Sequence, residues 1–514
     1  MLVKAFGGEP PRVLHLAPAL LLLALYGFYF DPLANALALA LSLACACVYV
    51  RLRRGTMPVR LAVFLAMLVP LHYAAAGGAM AYVLLCVLFE LTAGRRQRLA
   101  LLLLALGAAV PYLIGVTWLP ASPARSLGRP LPFSGLKIVA EEARSLVIKR
   151  DTLLAALYAF YSVAGLAAFL AARWSGVRGR LRVPGAVLLA ALAGGVCVIH
   201  DGGMHSQTAV DYYAYRRMWP EVLPHARKVP FGSRDYLFVN CAVNRALFHT
   251  GLLADHMFTF AQNSVGQMLT QDVFPSLALR DRALVMQGDL LLDLGWVNEA
   301  EHMACEAMAC RGDHPRLLQV MMLCSLARGR TEAARVLLGA VACDPVHGRS
   351  ARDMLRRMAE DPMLADDPQL RHLRACRVHE DVTGWLSADD VLKGLLARNG
   401  RNRMAFYYLM GRYLTYRRLE DFVAEIGRLD ELGYERIPWH YEEALLVYAA
   451  RTGQMPDLGG RTISPRTQQR FEGYGLVLAR QRGRSIRARM EAQSDYADTY
   501  MFYYAFGISS GPAR

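Results

Sequence analysis

The sequence lacks the short motifs on which most enzyme assignments rest. It contains no GxSxG, no HExxH, no GxxxxGKS/T and no Rossmann glycine fingerprint, and its ten cysteines form no CxxC or CxxCH. These absences exclude the nucleophile elbow, the helical zinc protease, the P-loop and covalently attached haem as readings. Strand-type alternation of apolar and polar residues is also missing, as is any low-complexity linker, which leaves an all-α chain. Ionisable residues are rare where a transporter would need them. The apolar runs before His200 hold only His15, His72 and Glu90. All three fall near run ends, where water or headgroups are expected to solvate them, so an ion-driven carrier is disfavoured.

Apolar length is what the first two hundred residues do have. Runs near Val13–Phe30, Leu33–Val50, Leu61–Ala76, Ala79–Leu91, Leu99–Leu119, Leu153–Ala172 and Val183–Ile199 approach the roughly 17 to 25 residues needed to cross about 30 Å of hydrocarbon. The expectation is a transmembrane domain of about seven helices over residues 1–200. Leu61 to Leu91 is either two spans or a re-entrant hairpin, and both leave the same parity. The first run reads as a retained signal anchor, because Asp31-Pro32 leads straight into the next run without a small-residue cleavage site.

Charge follows the same division. Residues 1–200 carry 19 Lys/Arg against 6 Asp/Glu, while the rest of the chain carries 39 against 37. The net charge of +15 therefore belongs to the flanks of apolar runs, and no nucleic-acid partner is expected. Thirteen basic residues lie at one set of run ends (Lys4, Arg12, RLRRG with Arg60, RRQR, RWSGVRGRLR), and six lie in the long alternate segment from Pro120 to Thr152. The positive-inside rule then puts the N-terminus in the cytoplasm. Seven crossings put residues 201–514 outside it, giving a multi-pass protein of a bacterial inner membrane with a periplasmic C-terminal domain.

Beyond His200 the pattern is one of amphipathic helices. Gly295 and Gly329 are 34 residues apart, as are Ala300 and Ala334. This is the tetratricopeptide period. LLDLGWVNEAEHMACEAMA resembles that family: Gly288 stands where a small residue lets a partner helix approach, Gly295 ends the first helix, and Ala300, Ala304 and Ala307 line the second. Pro315 to Pro345 is a partial second unit. NRALFHTGLLADHMF, with Gly251, and YYLMGRYLTYRRLEDF, with Gly411, are looser versions. The resemblance implies an α-solenoid, a fold whose extended surface commonly binds proteins. The blocks NRALFHTGLLADHMF, IPWHYEEALLVY, ISPRTQQRFEGY and DTYMFYYAFG also resemble an uncharacterised bacterial family of multi-span membrane proteins with a helical extracytoplasmic part. That resemblance implies architecture and carries no activity.

Each chemical constellation has a plainer competitor. His302, Cys305, Cys310 and His314 suggest a metal by residue type, but Cys310 lies well around the helix from Cys305, so packing is favoured and neither metal nor cofactor is expected. The cysteines outside the runs read mostly as buried reduced thiols, with room for one bridge. The acid pairs Glu141-Glu142, Asp366-Asp367, Asp389-Asp390 and Glu442-Glu443 read as solvated helix faces. Ser387 and Ser464 read as helix caps. The aromatics of DTYMFYYAFG read as closure of the last apolar face. Candidate binding residues are Asn240, Asn244 and His256 around one looser repeat, and Trp439, His440 and Tyr441 in IPWHYEEALLVY.

The sequence therefore reads as a membrane-anchored scaffold, in contact with membrane lipids, whose helical repeats engage a protein partner. No residue set identifies a reaction. The competing reading is an envelope enzyme acting on a lipid-linked glycan, of glycosyltransferase or polymerase/ligase type. It would use Arg125, Arg129, Glu141, Glu142 and Arg144 in the Pro120 to Thr152 segment.

Overall fold

A computed structural model of the protein describes residues 32–52, 55–75, 78–92, 96–117, 190, 193–194, 202–232, 236–269, 277–312, 314–378, 387–480 and 485–507. Every regular element among them is helical. The chain divides into two compact units, Met1–His205 and Ser206–Arg514. The first and sixth expected spans, and nearly all of the seventh, lie outside the described residues.

In the first unit four helices carry the described core: α1 (Pro32–Arg51), α2 (Met57–Ala75), α3 (Ala79–Thr92) and α4 (Gln97–Thr117). Among the described residues only α2 and α4 are both long and apolar enough to cross a membrane. Helix α3 has 14 residues, a rise of roughly 21 Å, and is shorter than the bilayer core. The helices close around Tyr49, Phe64, Tyr82 and Phe89, all fully buried, with Phe64 and Tyr82 stacked at 5.4 Å.

Glu90 departs from expectation here. It does not sit in water or headgroups: it is 0% exposed and pairs with Arg60, itself 1% exposed. The Tyr49 hydroxyl donates to Glu90 Oε1 at 2.7 Å, and Arg60 Nη1 donates to the Leu52 carbonyl at 3.1 Å. The guanidinium lies over the rings of Tyr49 and Phe89. His72 is buried as well. A charge that finds an opposite charge and a hydroxyl inside the protein has no need of the interface.

The second unit runs through α5 (Gly202–Tyr215), α6 (Trp219–Ala226), α7 (Tyr236–His249), α8 (Leu253–His256), α9 (Leu277–Asp293), α10 (Val297–Arg311), α11 (Pro315–Ala327), α12 (Thr331–Val341), α13 (Gly348–Glu360) and α14 (Pro368–Cys376). It continues with α15 (Ala388–Arg398), α16 (Arg403–Thr415), α17 (Leu419–Glu425), α18 (Arg428–Glu431), α19 (Trp439–Thr452), α20 (Pro465–Arg480), α21 (Ser485–Tyr496) and α22 (Tyr500–Phe506). From α9 to α13 each helix packs on the next.

One turn recurs between these helices. Arg217, Gly295, Gly329 and Arg417 are left-handed, with φ of 57°, 83°, 77° and 58°. The residue after each, at Met218, Trp296, Arg330 and Arg418, falls within φ −85° to −89° and ψ 67° to 71°. Its amide bonds the carbonyl five residues back, at 2.8 to 2.9 Å, which satisfies an end of the first helix while starting the second. Gly295 is needed twice over: besides its φ, a Cβ there would lie 2.3 Å from the Cys376 carbonyl oxygen. Gly411, whose sequence context resembled a repeat, is in the middle of α16, and the left-handed position of that hairpin is Arg417.

Side chains cap the helices where the sequence suggested. Ser387 Oγ accepts from the Asp390 amide, and Ser464 Oγ from the Thr467 amide just before Pro465. The C-terminal aromatics close the fold: Tyr500, Met501, Phe502 and Tyr503 are buried, and the Tyr503 hydroxyl donates to the Thr415 carbonyl at 2.8 Å.

Candidate functional site

A buried assembly of charges in the second unit was not singled out by sequence. Helix α7 (YLFVNCAVNRALFH) and the end of α9 (LLLD) are apolar enough to be buried nearly all round, yet each carries charges one helical turn apart. Arg245 and His249 on α7 thereby face Asp289 and Asp293 on α9. Asp293, 1% exposed, takes Arg245 Nη2 at 2.8 Å, His249 Nε2 at 3.0 Å and Arg217 Nη1 at 3.0 Å. Arg316 continues the chain of charges, 2.7 Å from Asp289 and 3.1 Å from Asp211. The Trp219 ring stacks on His249 at 4.4 Å, with Arg217 and Arg245 each 5.2 Å from its centre.

Electrostatics make this assembly a brace. Burial alone would raise the Asp293 carboxyl, but Arg245, Arg217 and His249 outweigh it and hold the group well below the usual carboxylate range. Burial also pushes the His249 imidazole below its ordinary value, against the pull of Asp293. A carboxylate so thoroughly engaged has no basicity to offer a substrate. Cys376, 3.8 Å from His372 Nδ1, resembles a nucleophile beside its base. Burial raises its thiol to about 11, so the thiolate a nucleophile requires is absent at neutral pH.

Most of the residues nominated by sequence are buried. Asn240 donates to the Ala261 carbonyl at 3.0 Å and to Gln262 Oε1 at 3.1 Å, and Asn244 donates to the same Gln262 oxygen at 3.2 Å. Both asparagines are 0% exposed and pin the irregular chain after α8 onto α7. His440 and Tyr441 are buried too. His440 Nε2 donates to the Asp498 carbonyl at 3.1 Å, and burial lowers its imidazole to about 3. His256 and Trp439 keep some surface, edge to face at 6.3 Å, and Arg470 lies 5.2 Å over the Trp439 ring. The space between Leu253, Phe258, Tyr407, Gly411, His440 and Tyr441 leaves no room for a water molecule.

Glu442 and Glu443 overturn the expectation of a solvated acid pair. The Glu442 carboxylate accepts from the Ser464 amide at 3.0 Å and its hydroxyl at 2.8 Å. Glu443, 0% exposed, accepts from the Tyr500 amide at 2.7 Å. Burial keeps its carboxyl protonated well above the usual range. Successive residues do point to different faces, but α19 is covered on both, by the 464–467 segment and by α22. Arg125, Arg129, Glu141, Glu142 and Arg144, on which the enzyme reading would rest, lie outside the described residues. Among the described residues no group of three His, Cys, Asp or Glu could hold a metal ion.

No curated protein and no solved structure matches the chain. The sequence model of a family of unknown function (DUF6057) matches residues 2–507, and the chain belongs to that family.

Proposed function

We propose that the protein is a membrane-anchored scaffold whose helical domain, residues 201–514, binds a protein partner outside the cytoplasm. The observation that carries this reading is the recurrent turn at Arg217, Gly295, Gly329 and Arg417, with one backbone geometry used four times. We read the repeated hairpin junction as that of a tetratricopeptide-like solenoid, a fold that offers more surface than its own core consumes. About seven spans and the basic bias of their alternate ends supply the anchor and its direction, in a bacterial inner membrane. Buried charge in the helical domain is taken up by bracing, which favours binding over catalysis.

Cys343 is exposed and gives a direct test of sidedness. Cys305 is exposed as well, so the test is made in a Cys305→Ser background: in cells with a permeabilised outer envelope and an intact inner membrane, a membrane-impermeant maleimide labels Cys343, and adding Cys343→Ser removes that label. Labelling only after the inner membrane is broken overturns the orientation. For the partner, a photo-crosslinking amino acid at Trp439 gives one discrete protein adduct in native membranes. Absence of any adduct there removes the nominated surface.

A further inference from the structure

The stretch that leads into α22 is held to α19 by two polar contacts from one face of α19. His440 and Glu443 are three residues apart, so both point at the junction between α21 and α22. His440 Nε2 donates to the Asp498 carbonyl at 3.1 Å, and Glu443 Oε2 accepts from the Tyr500 amide at 2.7 Å. Between these two contacts Thr499 starts α22, its Oγ1 accepting from the Phe502 amide at 3.1 Å. The apolar part of the contact is aromatic: the buried Phe258 ring lies 5.1 Å from Tyr500 and 4.9 Å from Tyr503.

Hydrogen bonding across this contact is incomplete. Glu443 Oε1 and the Tyr500 hydroxyl are buried with no hydrogen-bond partner among the described residues. The surrounding charges give a Glu443 anion little support. Arg470 of α20 draws the carboxyl down, but its guanidinium already donates to Asp498 Oδ1 at 2.8 Å and to the Asp495 carbonyl at 3.0 Å, and it lies over the Trp439 and Tyr496 rings. Asp498 and, on α19 itself, Glu442 add negative charge. On α8, Asp255 is taken by Arg436 and the Trp439 amide, and His256 stands edge to face with Trp439. On α17, Glu420 pairs with Arg451, which also donates to the Tyr504 hydroxyl of α22. Arg417 is turned to the Tyr503 carbonyl.

We propose that Glu443 is a pH-sensitive clasp: α22 stays docked on α19 while this carboxyl carries its proton, and comes away when the carboxyl ionises, uncovering the aromatic surface around Phe258. This goes beyond the scaffold reading and does not depend on it. An ionised Glu443 in its present place is a buried charge without a counter-ion, and the single Tyr500 amide offsets only part of that cost. Water reaches the charge by displacing one of its covers. Helix α22 has 7 residues against 16 in α20, and the carboxyl touches its first amide, so α22 is the cover that moves. Burial holds the proton in place, well above the usual carboxyl range. His440 does not titrate alongside it. With its imidazole lowered to about 3, it stays neutral at higher pH, and its bond to the Asp498 carbonyl remains as the hinge of the released helix.

The test is amide hydrogen exchange of the full-length protein in lipid nanodiscs over roughly pH 5 to 9, corrected for the pH dependence of intrinsic exchange and read by mass spectrometry. Protection of the peptide spanning residues 500–507 falls as pH rises, by about tenfold per pH unit above the folded pKa of the carboxyl, because one proton leaves at each opening. Helices α9 to α12 keep their protection throughout. In Glu443→Gln, which retains an oxygen for the Tyr500 amide, protection of α22 is level across the range, and Glu443→Met, an apolar second variant, is level as well. Protection of α9 to α12 checks that each variant folds, and the wild-type profile tests the clasp without either of them. Wild-type protection of α22 that does not change with pH, a fall that persists in the folded variants, or a simultaneous loss in α9 to α12 overturns the proposal.

Discussion

The turn at Arg217 and the turn at Gly295 share one backbone and secure it differently. Glycine reaches a positive φ with no Cβ penalty, and at 295 the bare Cα also lets the Cys376 segment pass at contact distance, where the Val378 amide bonds the Gly295 carbonyl at 3.2 Å. Arginine at 217 accepts the conformational cost and returns a side chain: its guanidinium closes on Asp293, two residues before Gly295. The two hairpins are thus tied to each other, one by the absence of a side chain and the other by its charge. The same backbone can be chosen for close approach or for a long-range contact, and only the first choice is visible as glycine.

The most damaging way to break this tie is at the carboxylate both turns share. Asp293→Ala leaves Arg245 buried with only Asp289, 3.8 Å away, as an anion, and frees Arg217 and His249. Loss of one partner from such a buried network costs about 3 to 5 kcal/mol, to be measured by denaturant unfolding of the purified protein. Gly295→Ala comes next. A left-handed alanine costs about 1 kcal/mol, and the 2.3 Å clash with the Cys376 carbonyl must be relieved by moving backbone, for a total of about 3 kcal/mol.

Acid acts on the same braces. The lowered Asp293 carboxyl contributes stability that is present above pH 3.8 and lost as pH falls below it. His440 extends the loss upward: its folded value of about 3 against 6.5 means that stability declines progressively as pH drops from 6.5 toward 3. Glu443 works in the opposite sense. Its raised carboxyl favours the fold below pH 4.5, and that advantage disappears as pH rises. Glu443→Gln keeps an oxygen for the Tyr500 amide without an ionisable group, so its melting temperature should gain on the wild type as pH increases from 5 to 8. A pH-independent difference would show that the Glu443 carboxyl ionises in the fold as it does in the unfolded chain, and that burial does not raise it.

Helical character, the glycine turns and the two serine caps were legible in the sequence, because periodicity, a positive-φ residue and a cap each leave a local mark. The arginine turns were not, since nothing local distinguishes Arg417 from the arginine beside it. Of the six candidate binding residues, four are buried. Asn240 and Asn244 were polar residues in an apolar helix, a pattern equally suited to a groove or to internal hydrogen bonding, and only the position of Gln262, 18 residues beyond Asn244, decides between them. Glu90, Glu442 and Glu443 misled for a related reason. A charge on an amphipathic helix normally meets solvent, and its partner here lies 30, 22 and 57 residues away in sequence. The clue that was available was charge inside an apolar run, as in LLLD and VNRAL, which marks a buried brace as readily as a site.

Smaller effects separate strain from approach. At Gly329 the nearest atom to an added methyl would be the flexible Met363 Cε at 4.0 Å, so Gly329→Ala costs only the φ strain, about 1 kcal/mol, roughly a third of the cost at Gly295. Equal costs at the two glycines would mean that the Cys376 segment moves aside freely.

The sharpest test of the comparison reverses it by giving each arginine turn a glycine. Arg417 is exposed, and its hydrogen bond to the Tyr503 carbonyl is long, at 3.4 Å. Relief of the left-handed strain then exceeds what is lost, and Arg417→Gly raises stability by about 0.5 kcal/mol. Arg217→Gly relieves the same strain but removes a guanidinium from a carboxylate buried at 1% exposure, so it lowers stability by about 1 kcal/mol. Opposite signs from one substitution in one backbone would establish that Arg217 is retained for its charge. Matching signs would mean that the turn itself sets the residue and that the contact with Asp293 adds nothing.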